Sequence, residues 1–161
     1  LRKLSARLLT IAGFIDIDAA VADIGTDHGY LPVYLALNNP SRRIIASDIS
    51  ERALGAARRS AAKYGVTGSV TFIVAPGLAG IGTDEADTVV IAGMGAETII
   101  GILSEAPWTR NIGVSLVLQP QTKITLLLSW LQENGYAVCE TKQAWDSGRL
   151  YTIIHAQGAV Q

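Results

Sequence analysis

The chain has 161 residues, about one domain's worth and enough to bury a sizeable core. Its formal net charge of −1 and pI near 6.1 exclude the uniformly basic balance of a dedicated nucleic-acid-binding domain. Hydrophobic residues make up 49% and mean hydropathy is +0.31, yet no run reaches the ~18 apolar residues of a membrane-spanning helix.

The opening stretch, LSARLLTIAGFI, places Leu4, Leu8, Ile11 and Ile15 at helical spacing. Its amphipathic character and the acids that follow it are unlike a secretory leader. AVADIG reads as a buried strand. YLPVYLALNN reads as a helix, with Pro32 tolerated in its first turn. RIIASDI is a second strand, and Ser50 is an N-cap for the helix ERALGAARRSAAKYG, closed by Gly65. SVTFIVA is a third strand, followed by a loop with Pro76, Gly77, Gly80 and Gly82. ADTVVIAG is a fourth, and the helix AETIIGILSEA ends before Pro107. VSLVLQP is a fifth. TKITLLLSWLQENG is a helix, with Thr122 as cap and Gly135 as stop. YAVCETKQAW and RLYTIIHA are two more strands joined by the turn residues DSG.

Continuous Val/Ile/Leu strands alternating with helices argue for an open α/β sheet covered on both faces, in one domain over residues 1–161. The single cysteine, Cys139, excludes an intramolecular disulfide and suits a reducing compartment; its strand context predicts an inert core thiol. Positive charge is uneven. Arg2, Lys3 and Arg7 precede the first acid, and Arg42, Arg43, Arg52, Arg58, Arg59 and Lys63 cluster later. These side chains form either a solvated helix face or a phosphate-contacting patch.

In such sheets ligands bind beyond the carboxyl ends of the strands. The stretch VADIGTDHGYLP, residues 21–32, sits at such an end. Gly25 permits a sharp turn and close approach of a ligand, the next helix offers unpaired N–H groups, and Asp23 at the strand tip accepts from an ammonium. Asp48 ends the second strand, 23 residues after Gly25, where a carboxylate can receive both hydroxyls of a ribose. The spacing lacks the middle glycine of the dinucleotide fingerprint, and an acid at the first strand tip repels a diphosphate. A cationic sulfonium nucleoside suits it better than a nicotinamide dinucleotide. VVIAGMGAET brings the small residues Ala92 and Gly93, then Met94, to the same edge. LVLQPQ brings Gln119 and Pro120.

The same stretches, with WLQENGY and RLYTIIHA, resemble the bacterial tRNA adenine-22 N1-methyltransferase family from Leu4 to about Ala156. The resemblance implies a Rossmann-like class I methyltransferase: a seven-stranded, mostly parallel sheet with an antiparallel last strand. It implies S-adenosyl-L-methionine as cofactor, tRNA as partner and a cytoplasmic enzyme with neither membrane nor metal. The implied cofactor contacts are Asp23, Gly25, Thr26, His28, Gly29, Asp48, Ile49, Gly77, Ala92, Gly93 and Met94. Tyr30, Gln119 and Pro120 are implied in substrate binding and Asp27 in catalysis. The chain departs from the family at Ala75-Pro76-Gly77-Leu78, where a polar residue is usual before the glycine, and at Gln121, where asparagine is usual. The family also carries a C-terminal helical extension, which is not expected within these residues. Two other functions remain open: a methyltransferase for a small molecule or protein, and a non-catalytic nucleoside-binding domain.

Overall fold

In chain order the elements are α1 (Ala6–Gly13), β1 (Val21–Ile24), α2 (Tyr30–Asn38), β2 (Ile44–Asp48), α3 (Glu51–Lys63), β3 (Val70–Val74), β4 (Thr88–Met94), α4 (Ala96–Ser104), β5 (Ser115–Pro120), α5 (Ile124–Glu133), β6 (Tyr136–Asp146) and β7 (Arg149–Gly158). They come from a computed structural model that describes residues 4–161; Arg2 and Lys3 of the basic cluster lie outside the described residues.

The strands form one sheet in the order β3-β2-β1-β4-β5-β7-β6. β1 pairs in parallel with both β2 and β4, and all four of its residues are buried. A strand covered on both faces favours apolar side chains throughout, which explains the unalternating pattern; in β1 Asp23 is the exception. β7 runs antiparallel between β5 and β6. One core, around Ile91, Ile99, Leu103, Leu118 and Leu127, lies under α4 and α5. The other, around Ile11, Val21, Leu35, Val90 and Ile153, lies under α1, α2 and α3. Because the chain crosses from β3 back over β2 to place β4 beside β1, the strand order reverses between β1 and β4. A crevice opens there above their carboxyl ends.

The local signals act as the residue chemistry predicts. Ser50 Oγ accepts from the N–H of Ala53 at 3.2 Å, Pro32 is the third residue of α2, and the two-residue turn Ser147-Gly148 has φ of 50° and 78°. Two positive φ values match the right-handed twist of a hairpin.

Three expectations are corrected. Thr122 does not cap α5: that position falls to Lys123, whose φ of 53° places it in the left-handed region with no side-chain cap bond. Cys139 is exposed, because β6 is an edge strand and a register shift between Val138 and Glu140 breaks its facing pattern. Arg42 belongs to no surface patch. It is buried and donates to the carbonyl of Ile17, while burial lowers its pKa against the pull of Asp18 and Asp87.

Candidate active site

The turn after β1 is pinned before any ligand arrives. The N–H groups of Gly25 and Thr26 both donate to the carbonyl of Ser47, at 2.8 and 3.0 Å. Gly25 has φ of 72°, and a Cβ there would stand 2.5 Å from Met94 Cε. That backbone favours glycine, and any larger residue would also have to push the flexible tip of Met94 aside. Asp27 follows with φ of 54°, an uncommon conformation for a residue with a side chain. Its carboxylate is exposed and does not cap α2, whose first turn is preceded by Gly29 with no side-chain cap bond. His28 lies 3.9 Å from Asp27 and stacks on Tyr30, with ring centroids 5.4 Å apart.

These residues border a cavity of about 730 Å³ above the strand tips. Asp23 sits within it, only 6% exposed, and burial pushes its carboxyl up to about 6. Thr26 and the Arg7 guanidinium pull the value down, and Asp48 adds to the rise. Asp48 is half-buried at the tip of β2. Its Oδ2 accepts from the N–H of Asp27 at 3.2 Å and its Oδ1 from Ser50 at 3.0 Å. On the other side, β4 carries a register shift between Ala92 and Met94, with Gly93 at φ 80°. A bulge at this point re-aims the strand end and turns Ala92 and Gly93 to the cavity.

The cavity therefore brings together Asp23, Gly25, Thr26, Asp27, His28, Tyr30, Asp48, Ala92 and Gly93 of the expected set. Six others lie outside its lining. Gly29 lets α2 approach α3, since a Cβ would stand 2.8 Å from Ala57 Cβ. Ile49 is 74% exposed. Gly77 faces Ile102 of α4. Met94 packs against the core. Gln119 and Pro120 are buried at the end of β5.

The lining also holds residues that sequence reasoning did not place there: Arg7 from α1, Tyr34 from α2, Gln121 after β5, and Asp146 and Ser147 at the hairpin tip. Arg7 stood out only as a basic residue on an amphipathic helix. No local pattern ties a hairpin near the chain's end to a turn near its start. Among the described residues no three His, Cys, Asp or Glu side chains gather as a metal site requires.

Whether the residues suit a sulfonium nucleoside can be tested on two buried groups. Asp23 has no salt-bridge partner within 4.0 Å among the described residues, so its carboxylate is short of a cation. Thr26 Oγ1 is buried and meets no partner at hydrogen-bonding geometry, although its hydroxyl lies near enough to Asp23 to hold that pKa down. Both suit an ammonium-bearing ligand.

A family model described as a methyltransferase domain matches residues 4–154. The tRNA (adenine(22)-N(1))-methyltransferase of Bacillus subtilis is 34% identical over 155 residues. That alignment takes in 96% of this chain, which spans only 65% of that relative's length. The crystal structure of the B. subtilis M1A22 tRNA methyltransferase TrmK superposes with a TM-score of 0.90 at 34% identity, covering 98% of this chain and 68% of that one. A Mycoplasma capricolum TrmK structure in complex with S-adenosyl-homocysteine superposes with a TM-score of 0.85 at 30% identity, covering 99% and 70%. On its fold, its crevice and these likenesses, the chain belongs to the methyltransferase-domain family and, within it, to the tRNA (adenine(22)-N(1))-methyltransferases.

Proposed function

We propose that this chain transfers the methyl group of S-adenosyl-L-methionine to N1 of an adenine in tRNA, acting in the cytoplasm. The observation that carries the reading is the pair of carboxylates at adjacent strand tips, Asp23 buried and Asp48 at the rim, opening on one cavity with Asp27 between them in sequence.

Each has a distinct task. Asp23 receives the cofactor's ammonium, and ionisation of its carboxyl is favoured once that cation is present. Each Asp48 oxygen already accepts one backbone N–H, which leaves each a lone pair for one of two ribose hydroxyls. Gly25 and Gly93 keep the backbone bare where the ligand lies closest. The bound sulfonium supplies an electrophilic methyl and departs as a neutral thioether.

Adenine N1 attacks through an in-plane lone pair and needs no prior loss of a proton. The residues' main work is therefore alignment. As the methyl transfers, positive charge grows on the base, and the Asp27 carboxylate opposes it. Asp27 is screened by water while exposed, so its effect strengthens when the substrate covers it. Tyr30, at the cavity wall, offers a ring for the base to stack on.

Incubating the protein with isotopically labelled methyl donor and unmodified tRNA, then digesting to nucleosides for mass spectrometry, tests this directly. Labelled N1-methyladenosine is the expected product. Label on another nucleoside, or none on RNA while a protein or small molecule is methylated, overturns the tRNA assignment.

A further inference from the structure

Arg7 reaches from α1 into the cavity and meets several separate parts of the fold. Nη1 donates to Gln119 Oε1 at 3.0 Å, at the end of β5. Nε lies 4.0 Å from Asp146 Oδ2, at the hairpin tip. The guanidinium carbon stands 5.6 Å from the centre of the Tyr151 ring. Nη1 is also 4.0 Å from where a side chain would begin on Gly93, the bulged residue of β4. All of these contacts lie on the β4–β5 side of the crevice, across from Asp48.

Gln119 is fully buried and its carboxamide is committed: Oε1 to Arg7, and Nε2 to the carbonyl of Pro120 at 3.0 Å. It holds the guanidinium rather than reading a base. The hairpin needs such a hold. β7 pairs with β5 only from Ile154 to Gln157, so residues 142–146 and 149–153 project beyond β5 as a two-stranded ribbon. Ala144 and Ile153 bury its base in the core under α1, but Trp145 and Leu150 near its tip are exposed, so the tip depends on contacts such as those of Arg7. Arg7 and Tyr151 press the projecting ribbon toward α1, and Asp146 anchors its tip.

We propose that Arg7 is the positioning residue of the acceptor end: by joining α1, the tip of β5 and the β6–β7 hairpin, it sets the slot between Gly93 and the hairpin in which the acceptor base lies. The inference rests on the methyl-transfer reading and names a residue that fixes its geometry. A planar fork with five N–H donors makes these contacts together; a lysine ammonium is a single point and does not.

The test compares wild type with Arg7→Ala, Arg7→Lys and Asp146→Asn. Hydrogen–deuterium exchange reads the hairpin, calorimetry with S-adenosylhomocysteine reads the cofactor end, and single-turnover methylation of tRNA reads the acceptor end. Calorimetry is run at about pH 8.5, where Asp23, facing Thr26, Arg7 and Asp48, is ionised with or without Arg7. In Arg7→Ala, exchange across 142–153 is expected to rise about tenfold with β1–β3 unchanged. Cofactor affinity is expected to hold while the transfer rate falls about a hundredfold. Arg7→Lys and Asp146→Asn give intermediate rates. Unchanged hairpin exchange, or a loss of cofactor affinity as large as the loss of rate, overturns the proposal. If wild type transfers nothing to RNA, the methyl-transfer reading fails by itself, and the hairpin exchange still decides whether Arg7 holds the ribbon.

Discussion

The backbone N–H of Asp27 donates to Oδ2 of Asp48 across 3.2 Å, so the turn after β1 is tied to the tip of β2 by the carboxylate assigned to the ribose. One side chain thereby shapes the loop and, on the proposed function, receives the ligand.

Asp48→Ala removes both functions. Affinity for S-adenosylhomocysteine is expected to fall about tenfold to a hundredfold, the worth of a hydrogen bond to a charged group. Isothermal calorimetry measures it, and unchanged affinity would take Asp48 out of the ribose site.

Asp23 makes stability and binding respond to pH in opposite senses. Its folded-state carboxyl titrates at about 6 against an ordinary 3.8. Between those values the folded protein keeps a proton that the unfolded chain has lost. The ligand-free protein therefore loses stability from this group as pH rises from about 4 to 6, by up to about 3 kcal/mol, and carries the full cost above that. Cofactor affinity rises over the same range as the carboxylate forms. Asp23→Asn is expected to raise the melting temperature of the ligand-free protein at pH 8 and to weaken cofactor binding. A lower melting temperature with intact binding contradicts both assignments.

Asp27 combines charge with a left-handed backbone, and two variants separate them. Asp27→Asn keeps the shape and removes the charge. Asp27→Gly relaxes the backbone and stabilises the fold by up to about 1 kcal/mol. Both are expected to slow single-turnover methyl transfer while sparing cofactor affinity. A wild-type rate in Asp27→Asn removes the carboxylate from the chemistry.

Cys139 lies exposed on an edge strand and is expected to react stoichiometrically with a thiol reagent in the native protein, without denaturant. Reaction only after unfolding would return it to the core.

The seven strands, five helices and crevice were legible because burial on both faces leaves a strong mark: residues 89–92 of β4 have no polar alternation to confuse them. The acids at the tips of β1 and β2 were legible for a related reason, since a carboxylate ending an apolar run has few purely structural uses. What stayed hidden was what depends on three-dimensional register. Cys139 sits beside a shift in the β6–β7 ladder, which no count of alternating residues reveals. Lys123 in the left-handed region displaced the more obvious Thr122. Gly93 reads as a small residue at the end of the fourth strand, and that it forms a bulge there depends on its register with β5. Arg7, 112 residues from Gln119 along the chain, joins the cavity only through the packing of α1 against the hairpin.

The strand order has a consequence for birth on the ribosome. β6 emerges before β7 yet pairs with no other strand, and β5 faces that gap until β7 slots between them. At roughly 5–20 residues per second, the nascent chain spends a second or two with a bare, apolar sheet edge. That interval is when a second nascent chain could add a strand of its own.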